Sequence, residues 1–257
     1  MFHRLKTYGD TWLASDFHLS EHTLKTSKAF KKLLAIASAS SSNLILLGDI
    51  FDAWIGDDLI EKNKPCWLIN ILKSIKIASS YINIYILPGN RDFLLGENFS
   101  NISGAYLITE PQTILENDHQ EILISHGDEL CIDDIEYQKY RTMVRSDNWK
   151  NFFLQKNLFE RSIIAKKIRE YSKMANQKKS EEIANVTESE VKKNFENICC
   201  PSKMIHGHTH VKKKHTYIVK NRICERWVLP DWNYDSTEKD KGGWIVVKND
   251  KIDYCSF

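Results

Sequence analysis

The sequence NLILLGDIFD, residues 43–52, joins a short apolar run to a cluster of polar residues. Two other stretches are built in the same way, TWLASDFH at 11–18 and NIYILPGNRD at 83–92. Between these runs, apolar residues recur at helical spacing from Ser27 to Ser38 and from Pro65 to Ile75. The alternation of strand and helix predicts β-α-β units around a largely buried sheet. In such sheets ligands bind at the carboxyl ends of the strands, which is where the polar clusters fall.

Two further apolar runs end in polar clusters later in the chain, EILISHGD at 121–128 and KMIHGHTH at 203–210. The turn-like ENDHQ that precedes the first of them predicts a hairpin over 113–126. Four more strand candidates follow, namely HTYIVK, RWVL, GWIVVKND and KIDYCSF. This run of strands predicts a second, more antiparallel sheet that faces the first.

The composition limits the class of protein. The 257 residues are 42% hydrophobic and 27% charged, which is typical of a soluble globular protein and excludes a disordered chain. No window approaches 18 apolar residues, so the sequence predicts no membrane-spanning helix. The six cysteines contain no C-x-x-C pair, and we expect them to be reduced thiols in a cytoplasmic protein.

The charge is distributed unevenly along the chain. The formal net charge is only +2, but residues 139–179 carry 12 Lys and Arg against three acidic residues, so they contribute +9 and leave −7 for the remainder. This stretch lacks Gly and Pro, and its apolar residues recur at helical spacing. We therefore predict basic amphipathic helices inserted between two core strands. The basic stretch also leaves open a non-catalytic module that binds an anionic surface, although the near-neutral total argues against a protein that coats nucleic acid.

Five polar clusters need a common explanation. Taken singly, each is compatible with an ordinary turn or helix cap. Taken together, they place carboxylates, imidazoles and an amide oxygen just after β-type runs, and these groups are ligands of divalent cations. Two carboxylates and four histidines exceed the needs of one ion and favour two ions joined by a bridging aspartate, while the lack of cysteine argues against structural zinc. The clusters are Asp16-Phe17-His18, Gly48-Asp49-Ile50-Phe51-Asp52, Gly89-Asn90-Arg91-Asp92, Ser125-His126-Gly127-Asp128 and His206-Gly207-His208-Thr209-His210.

The order of these motifs over residues 16–210 resembles the calcineurin-like metallophosphoesterase superfamily. The resemblance implies an α/β fold, a four-layer αββα sandwich of two facing sheets flanked by helices. On this basis we expect a single domain over 1–257, with a basic helical cap inserted at 138–197.

The resemblance also implies a site for two divalent cations. Such a pair lowers the pKa of a bridging water and neutralises phosphoryl oxygens during in-line attack on phosphorus. Asp49 is the implied bridge between the two ions. The implied ligands are Asp16, His18, Asp49 and His210 for one ion, and Asp49, Asn90, His126 and His208 for the other.

Other residues of the clusters receive different roles. The implied catalytic residues are Asp49, Asn90, Arg91 and His208. His206 lies outside the ligand pattern and is expected in the core. Asp52 and Asp92 are expected to orient histidine or asparagine ligands from behind.

Arg91 departs from the general superfamily, in which the common sequence at this point is G-N-H-D. An arginine does not act as a general acid near pH 7, because its pKa is above about 12. It can clamp a diphosphate through paired hydrogen bonds. Arg91 therefore favours a pyrophosphate or a phosphodiester with a good leaving group as the substrate.

Longer strings are similar to one family in particular. FDAWIGDD (51–58), LPGNRDFLLG (87–96) and HGDELCIDDIEYQKYR (126–141) closely resemble the UDP-2,3-diacylglucosamine hydrolases of the lipid A pathway, and REYSKMANQKKS (169–180) resembles their substrate-contacting helix. The resemblance implies cleavage of the pyrophosphate bond of UDP-2,3-diacylglucosamine to UMP and 2,3-diacylglucosamine 1-phosphate. A generic phosphodiesterase or phosphatase of the same superfamily is the alternative.

This second resemblance also implies cofactors, partners and contacts. Manganese is the cation that the family typically uses, and its members lie peripherally at the cytoplasmic face of the inner membrane. We expect a monomer that does not bind nucleic acid. The implied substrate contacts are Asn90, Arg91, Asp134, Tyr137, Arg169, Ser172, Asn176, Lys179 and His208.

The basic stretch offers an apolar surface for two acyl chains. The aromatic and aliphatic residues predicted to line such a groove are Trp149, Phe152, Phe153, Phe159 and Ile163. The same stripe could instead pack the helices onto the core.

Overall fold

A computed structural model describes residues 2–118, 120–178, 185–197, 199–236 and 242–257, with the side chains at 173 and 175–178 outside the description. These residues form twelve strands and eight α-helices. The strands are β1 His3–Thr7, β2 Thr11–Ala14, β3 Asn43–Leu46, β4 Asn83–Ile86, β5 Tyr106–Leu107, β6 Gln112–Asn117, β7 Gln120–Ser125, β8 Lys203–His206, β9 Lys213–Val219, β10 Arg222–Val228, β11 Trp244–Lys248 and β12 Lys251–Cys255. The helices are α1 Leu24–Ser40, α2 Asp58–Lys62, α3 Cys66–Ala78, α4 Glu97–Ser103, α5 Ile135–Arg145, α6 Asp147–Leu154, α7 Leu158–Lys178 and α8 Glu188–Glu196, with a 3₁₀ helix at Asp128–Leu130.

The strands form two six-stranded sheets. The first has the order β12-β11-β2-β3-β4-β5, and the second has the order β1-β6-β7-β8-β10-β9. Strands β2 to β5 are parallel, as the β-α-β pattern predicted. Strands β6 and β7 pair antiparallel, which confirms the hairpin predicted over 113–126.

The alternation of side chains along β3 shows how the layers are built. Leu44 and Leu46 pack against helices α1 and α3, whereas Ile45 points into the apolar layer between the two sheets. On the other side, Val191 and Phe195 of α8 pack against the outer face of the second sheet. The predicted four-layer αββα sandwich is therefore confirmed.

The four strand candidates at the end of the chain do not stay together, and the prediction that they belong to one second sheet was wrong. β9 and β10 extend the second sheet, where β10 runs parallel to β8. β11 and β12 join the first sheet, where β11 runs antiparallel to β2. Each strand offers two edges, and only the assembled core decides which edge is occupied.

The chain between β7 and β8 contains helices α5 to α8. Helix α8 belongs to the outer layer of the core, while α5, α6 and α7 supply one wall of the cavity described below. The bounds 138–197 for the inserted cap stay a prediction. Within the described part of the chain, none of the helices combines the length and the apolar character needed to cross a bilayer.

Candidate metal centre and adjoining cavity

The loops that follow five strands meet at one end of the sandwich. The loops after β2, β3 and β4 of the first sheet bring in Asp16, Asp49 and Asn90. The loops after β7 and β8 of the second sheet bring in His126 and His208. The sequence placed each of these residues at the end of a strand. The structure shows that the strand ends converge where the two sheets face each other, because β7 and β8 belong to the second sheet.

Asp49 lies at the middle of the site. Its Oδ2 is 3.7 Å from His18 Nδ1, and its Oδ1 is 3.6 Å from His126 Nε2. On one side of it, Asp16 Oδ1 lies 3.3 Å from His210 Nε2. Within the described residues, Asp16, His18 and His210 form one group suited to an ion, and Asp16, Asp49 and His126 form another.

Asn90 joins the histidines on the other side of Asp49. Its Oδ1 lies 2.9 Å from His126 Nε2 and 3.2 Å from His208 Nδ1. The backbone N–H of His208 donates a hydrogen bond to Asp16 Oδ2 at 3.0 Å. All seven predicted ligands thus lie together, and their division between two ions stays a prediction.

The unpaired atoms of the site suit a cation. Asp16 Oδ1 and His18 Nδ1 are buried and make no hydrogen bond among the described residues, although they lie 3.3 Å from His210 Nε2 and 3.7 Å from Asp49 Oδ2, respectively. His126 Nδ1 donates to the carbonyl of Leu47 at 2.8 Å, so Nε2 is the ring nitrogen that faces Asp49 and Asn90. Buried polar atoms without partners are costly, and a divalent cation would satisfy them. The donor set of carboxylate, imidazole and amide oxygen fits such an ion.

Two buried groups of the site, Asp49 and His126, have displaced pKa values. Burial, followed by repulsion from the carboxylates of Asp92 and Asp16, raises the pKa of Asp49 to about 7. Burial alone would lower the pKa of His126, but the charges of Asp49, Asp16 and Asp128 outweigh it and raise that pKa to about 9. Buried groups with such displaced pKa values cluster at functional sites.

The backbone is strained at the same positions. Five residues of the site have φ between 48° and 67°, a left-handed conformation that is costly for any side chain other than glycine. They are Asp16, His18, Asp49, His208 and His210. Such strain persists only where the surrounding structure imposes it, and it is often found at functional sites.

Glycines allow the loops to approach one another. A Cβ at Gly89 would lie less than 3 Å from Asp49 Oδ1, and one at Gly207 would lie less than 3 Å from Asp16 Oδ2. The Gly residues of the G-N-R-D and G-H-T-H motifs therefore leave room for the carboxylates.

Asp92 supports the backbone of the site, which corrects the expectation that it orients a histidine or asparagine side chain. It accepts hydrogen bonds from the backbone N–H groups of Gly89 and Ile50, both at 2.7 Å, and of Asp49 at 3.2 Å. It therefore ties the loop after β3 to the loop after β4. Asp52 likewise contacts no ligand side chain among the described residues and pairs with Arg169.

His206 lies in the core, as expected. It is fully buried, and its Nε2 accepts a hydrogen bond from Arg226 at 3.1 Å. Its Nδ1 then donates to the carbonyl of Gly207 at 2.9 Å. Sequence reasoning missed another support of the site, Trp232, whose backbone N–H donates to the carbonyl of Asp16 at 3.0 Å.

A cavity of about 760 Å³ adjoins the metal centre, between the loops of the first sheet and helices α5, α6 and α7. Its wall combines charged, polar and aromatic side chains. Five of the predicted substrate contacts line it, namely Asn90, Arg91, Tyr137, Arg169 and Ser172.

The other predicted contacts lie elsewhere. The ring of His208 lies 6.0 Å from that of Tyr137, so His208 adjoins the cavity from the metal centre. Asp134 caps helix α5, where its carboxylate accepts the N–H of Tyr137 at 3.2 Å, and it does not line the cavity. The side chain of Asn176 and the whole of Lys179 lie outside the described residues.

The predicted apolar groove is only partly right. Trp149 and Phe153 line the cavity and stack with ring centroids 4.7 Å apart. Phe152, Phe159 and Ile163 are 60%, 73% and 39% exposed and do not line it. The prediction failed for these three because both α6 and α7 carry apolar residues on more than one face.

Two arginines face each other in the cavity. Arg91 Nε is buried without a hydrogen-bond partner among the described residues and lies 3.9 Å from Asp49 Oδ2. Burial, and then the positive charge of Arg91, lower the pKa of Arg169. Neighbouring guanidinium groups next to a candidate cation site suit an anionic, phosphate-containing ligand.

Sequence reasoning also missed the role of Asp128. Its buried carboxylate accepts hydrogen bonds from the Tyr137 hydroxyl and from Arg141 Nε, both at 2.7 Å, and from Arg145 Nη2 at 3.4 Å. Arg145 in turn donates to the carbonyl of Gly89 at 3.2 Å. The spacing of 137, 141 and 145 along one helix face was a signal for a shared partner.

Comparison with known proteins gives a consistent result. The family model for calcineurin-like phosphoesterases matches residues 10–212. A protein of Bordetella pertussis named UDP-2,3-diacylglucosamine hydrolase is 44% identical over 97% of this chain and 95% of its own length. Proteins of the same name are 37% identical in Aromatoleum aromaticum, over 86% of this chain and 89% of theirs, and 35% identical in Photorhabdus laumondii, over 96% and 98%.

Proposed function

The chain belongs to the calcineurin-like phosphoesterase family, and from this premise we propose that it hydrolyses the pyrophosphate bond of UDP-2,3-diacylglucosamine. The products are UMP and 2,3-diacylglucosamine 1-phosphate, and the step belongs to lipid A biosynthesis. The observation that carries the proposal is 44% identity over 97% of the chain to a protein named for this reaction. The cavity beside the metal centre, with Arg91 and Arg169 in its wall, supports it.

The enzyme is a metal-dependent hydrolase, since its family implies divalent metal ions and its buried donor set fits them. We assign Asp49 as the ligand shared by two ions, because its two oxygens face His18 and His126. Two bound cations supply an activated water near neutral pH and neutralise charge on the phosphoryl oxygens. Manganese is the ion that we propose. The ligands proposed are Asp16, His18 and His210 on one side of Asp49, and Asn90, His126 and His208 on the other.

The residues of the cavity bind and orient the substrate. Arg91 and Arg169 hold the diphosphate by charge-assisted hydrogen bonds, which also favour the negative charge on the departing phosphate. Arg91 does not supply a proton, because a guanidinium stays protonated near pH 7. Tyr137, held by Asp128, and Ser172 offer hydroxyl groups to the sugar or the base.

The apolar part of the cavity suits the acyl chains. Trp149 and Phe153 stack against each other on α6, and Phe93 lies 6.1 Å from Trp149 across the wall. Ile168 of α7 closes the wall on another side. A surface of this kind buries hydrocarbon at roughly 25 cal/mol per Å² of apolar area.

The reaction itself tests the function. Purified protein with manganese and UDP-2,3-diacylglucosamine in detergent micelles should release UMP and 2,3-diacylglucosamine 1-phosphate in equal amounts. Turnover of bis-p-nitrophenyl phosphate, measured alongside, distinguishes the proposed activity from that of a generic phosphodiesterase. A generic phosphodiesterase would hydrolyse this small diester better than the lipid nucleotide. Turnover of the diester without any release of UMP contradicts the proposal.

We further propose that the protein attaches peripherally to the cytoplasmic face of the inner membrane. Phe152, Phe159 and Ile163 are exposed on α6 and α7, two of the helices that form the wall of the cavity. Lys156 Nζ lies 4.1 Å from the centre of the Phe152 ring, which places a cation beside the apolar surface. Apolar side chains ringed by Lys and Arg favour the surface of an anionic membrane, and each basic residue contributes about 1 kcal/mol when it is close to that surface.

Vesicles containing an anionic phospholipid test the attachment. The doubly substituted protein Phe152→Ser/Phe159→Ser should cosediment with them less than the unchanged protein does. Ile218→Ser is a matched control, because Ile218 is 81% exposed on edge strand β9 and not on α6 or α7. Equal cosedimentation of all three proteins rules out these helices as the attachment surface.

A further inference from the structure

Helix α7 carries Ile168, Arg169 and Ser172 to the cavity, and none of its described residues belongs to the apolar clusters of the core. Among the described side chains of α7, the only one that is buried is that of Arg161, which is 1% exposed. Apolar residues of the same helix, such as Phe159 and Ile163, point to solvent. An amphipathic helix normally gains its stability from a buried apolar face. The apolar residues Leu158, Ile164, Ala165 and Ile168 of α7 are only half-buried, so a further contact is needed to hold the helix firmly.

Arg161 makes that contact with the loop 51–58, which directly follows the metal ligand Asp49. Its Nη1 donates to the carbonyl of Ile55 at 2.6 Å, and its Nη2 pairs with the carboxylate of Asp58. Gly56 leaves the space for the guanidinium, since a Cβ there would lie less than 3 Å from Arg161 Nη1. Gly56 also has φ of +122°, a conformation that side chains rarely adopt.

The loop is itself fixed to the core. Asp57 accepts hydrogen bonds from the indole of Trp54 at 2.9 Å and from the backbone N–H of Phe99 at 2.8 Å. The ring of Trp54 is buried and lies 5.4 Å from that of Phe99. The loop is therefore a firm base for a helix held by charge.

A second ion pair joins the same two elements. Asp52 of the loop pairs with Arg169 of α7, eight residues after Arg161. At a rise of 1.5 Å per residue, the two ion pairs are about 12 Å apart along the helix. The side chain of Arg161 is buried and that of its partner Asp58 is half-buried, whereas the pair at Arg169 lies in the cavity where the proposed substrate binds.

We propose that Arg161 is the positioning residue of α7, which anchors the helix to the loop 51–58 and so sets the distance of Arg169 and Ser172 from Arg91. Arg161 touches no reacting group. It acts through the helix and determines how well the cavity fits the large lipid nucleotide. As far as the substrate is concerned, the inference rests on the proposed function.

Arg161→Lys, Arg161→Met and Asp58→Asn test the inference, with Lys166→Met as the control. Lys166 is an exposed cation of the same helix and does not line the cavity. In mixed micelles, KM for UDP-diacylglucosamine should rise about tenfold in Arg161→Met, because a helix displaced by about 1 Å loses oriented contacts. The KM of Arg161→Lys should lie between that of Arg161→Met and that of the unchanged protein. Lysine keeps the positive charge but loses the planar guanidinium with its several N–H donors.

Bis-p-nitrophenyl phosphate, which is too small to need α7, distinguishes positioning from loss of fold. Its turnover by the three variants should stay within about twofold of that by Lys166→Met. Amide hydrogen exchange over 158–172 should be faster in the same variants. The inference is overturned if turnover of both substrates falls in parallel. It is also overturned if the KM for the lipid nucleotide equals that of the control Lys166→Met.

Asp58→Asn keeps the test decisive if Arg161→Met does not fold, because it leaves the buried Arg161 and its hydrogen bond to the carbonyl of Ile55 in place. Failure of the proposed function looks different. In that case the unchanged protein would hydrolyse the diester and not the lipid nucleotide. Even then, hydrogen exchange in α7 decides whether Arg161 anchors the helix. Faster exchange in the variants supports the anchoring role, and unchanged exchange overturns it.

Discussion

The backbone N–H of Arg91 donates a hydrogen bond to Asp49 Oδ1 at 2.8 Å. The carboxylate proposed to join two cations thus also fixes the peptide of the arginine proposed to bind the diphosphate. The candidate metal centre and Arg91 are therefore joined directly, and we expect a change at Asp49 to affect both.

Asp49→Ala should remove metal and activity together. Without the shared carboxylate, kcat/KM for UMP release should fall by about three orders of magnitude or more, since the proposed ions supply several kcal/mol of transition-state stabilisation. Metal analysis of the purified protein should show the loss directly. Asp253→Asn, an exposed acid on β12, should change neither quantity. Full activity in Asp49→Ala would falsify the dinuclear proposal.

Gly89→Ala should empty the site without changing the ligands. The added Cβ would lie less than 3 Å from Asp49 Oδ1 and from the backbone nitrogen of Asp49, so the loops must separate. Metal content should fall while the circular dichroism spectrum keeps its shape. Gly9→Ala is the matched control, because its Cβ would meet Ser42 far from the ligands. The Gly9→Ala protein should have a lower melting temperature and retain metal. If the Gly89→Ala protein also retains metal, the close approach of Gly89 to Asp49 is not needed for metal binding.

Arg91→Lys should separate charge from geometry. Lysine keeps the positive charge and loses the paired hydrogen bonds of the guanidinium. One charge-assisted hydrogen bond contributes about 1.5–3 kcal/mol, so kcat/KM should fall by about tenfold to a hundredfold. Arg4→Lys, on the exposed strand β1, is the control. Metal content should be unchanged in both proteins, and unchanged kinetics in Arg91→Lys would mean that only charge matters at this position.

The ion pair of Asp58 predicts a dependence of stability on pH. Burial raises the pKa of Asp58, but hydrogen bonds from Arg161 and Lys62 outweigh it and lower that pKa below the ordinary value of 3.8. A lowered pKa in the folded state stabilises the fold above pH 3.8, and this contribution is lost as the pH falls through the folded value. The difference in melting temperature between the unchanged protein and Asp58→Asn should therefore be constant from pH 7 to about 5 and shrink below about 4. A difference that grows towards acid pH contradicts the ion pair.

Five of the six thiols should fall into two classes, and Cys255 is intermediate in exposure. Cys66 and Cys199 are exposed, while Cys131, Cys200 and Cys224 are buried. Burial raises the pKa of Cys131 and that of Cys200 to about 12, which leaves almost no thiolate to react at pH 8. Mass spectrometry after brief treatment with iodoacetamide should find label on Cys66 and Cys199. All six should react in urea, and early label on Cys131 would show that its surroundings open.

Much of the fold and of the site could be read from local patterns. Leu44, Ile45 and Leu46 form a continuous apolar run, which is typical of a strand covered on both faces. The polar cluster that follows contains Asp49, which does lie at the end of the strand. The position of a strand and of its end depends on neighbouring residues in the chain, so local patterns predict them. The order of the five motifs was enough to indicate the family.

The tertiary structure alone decided three other matters. It divided the strands after β8 between two sheets, because each strand had two edges and only the packed core selected one. It turned Phe159 outwards and Arg161 inwards, because α7 has apolar residues on several faces and only contact with the loop 51–58 favours one of them. It also brought His126 from the second sheet to Asp49 of the first. The sequence by itself determined which chemical groups are present and where strands end. Their mutual placement depends on contacts between residues far apart in the chain, and no local periodicity encodes those contacts.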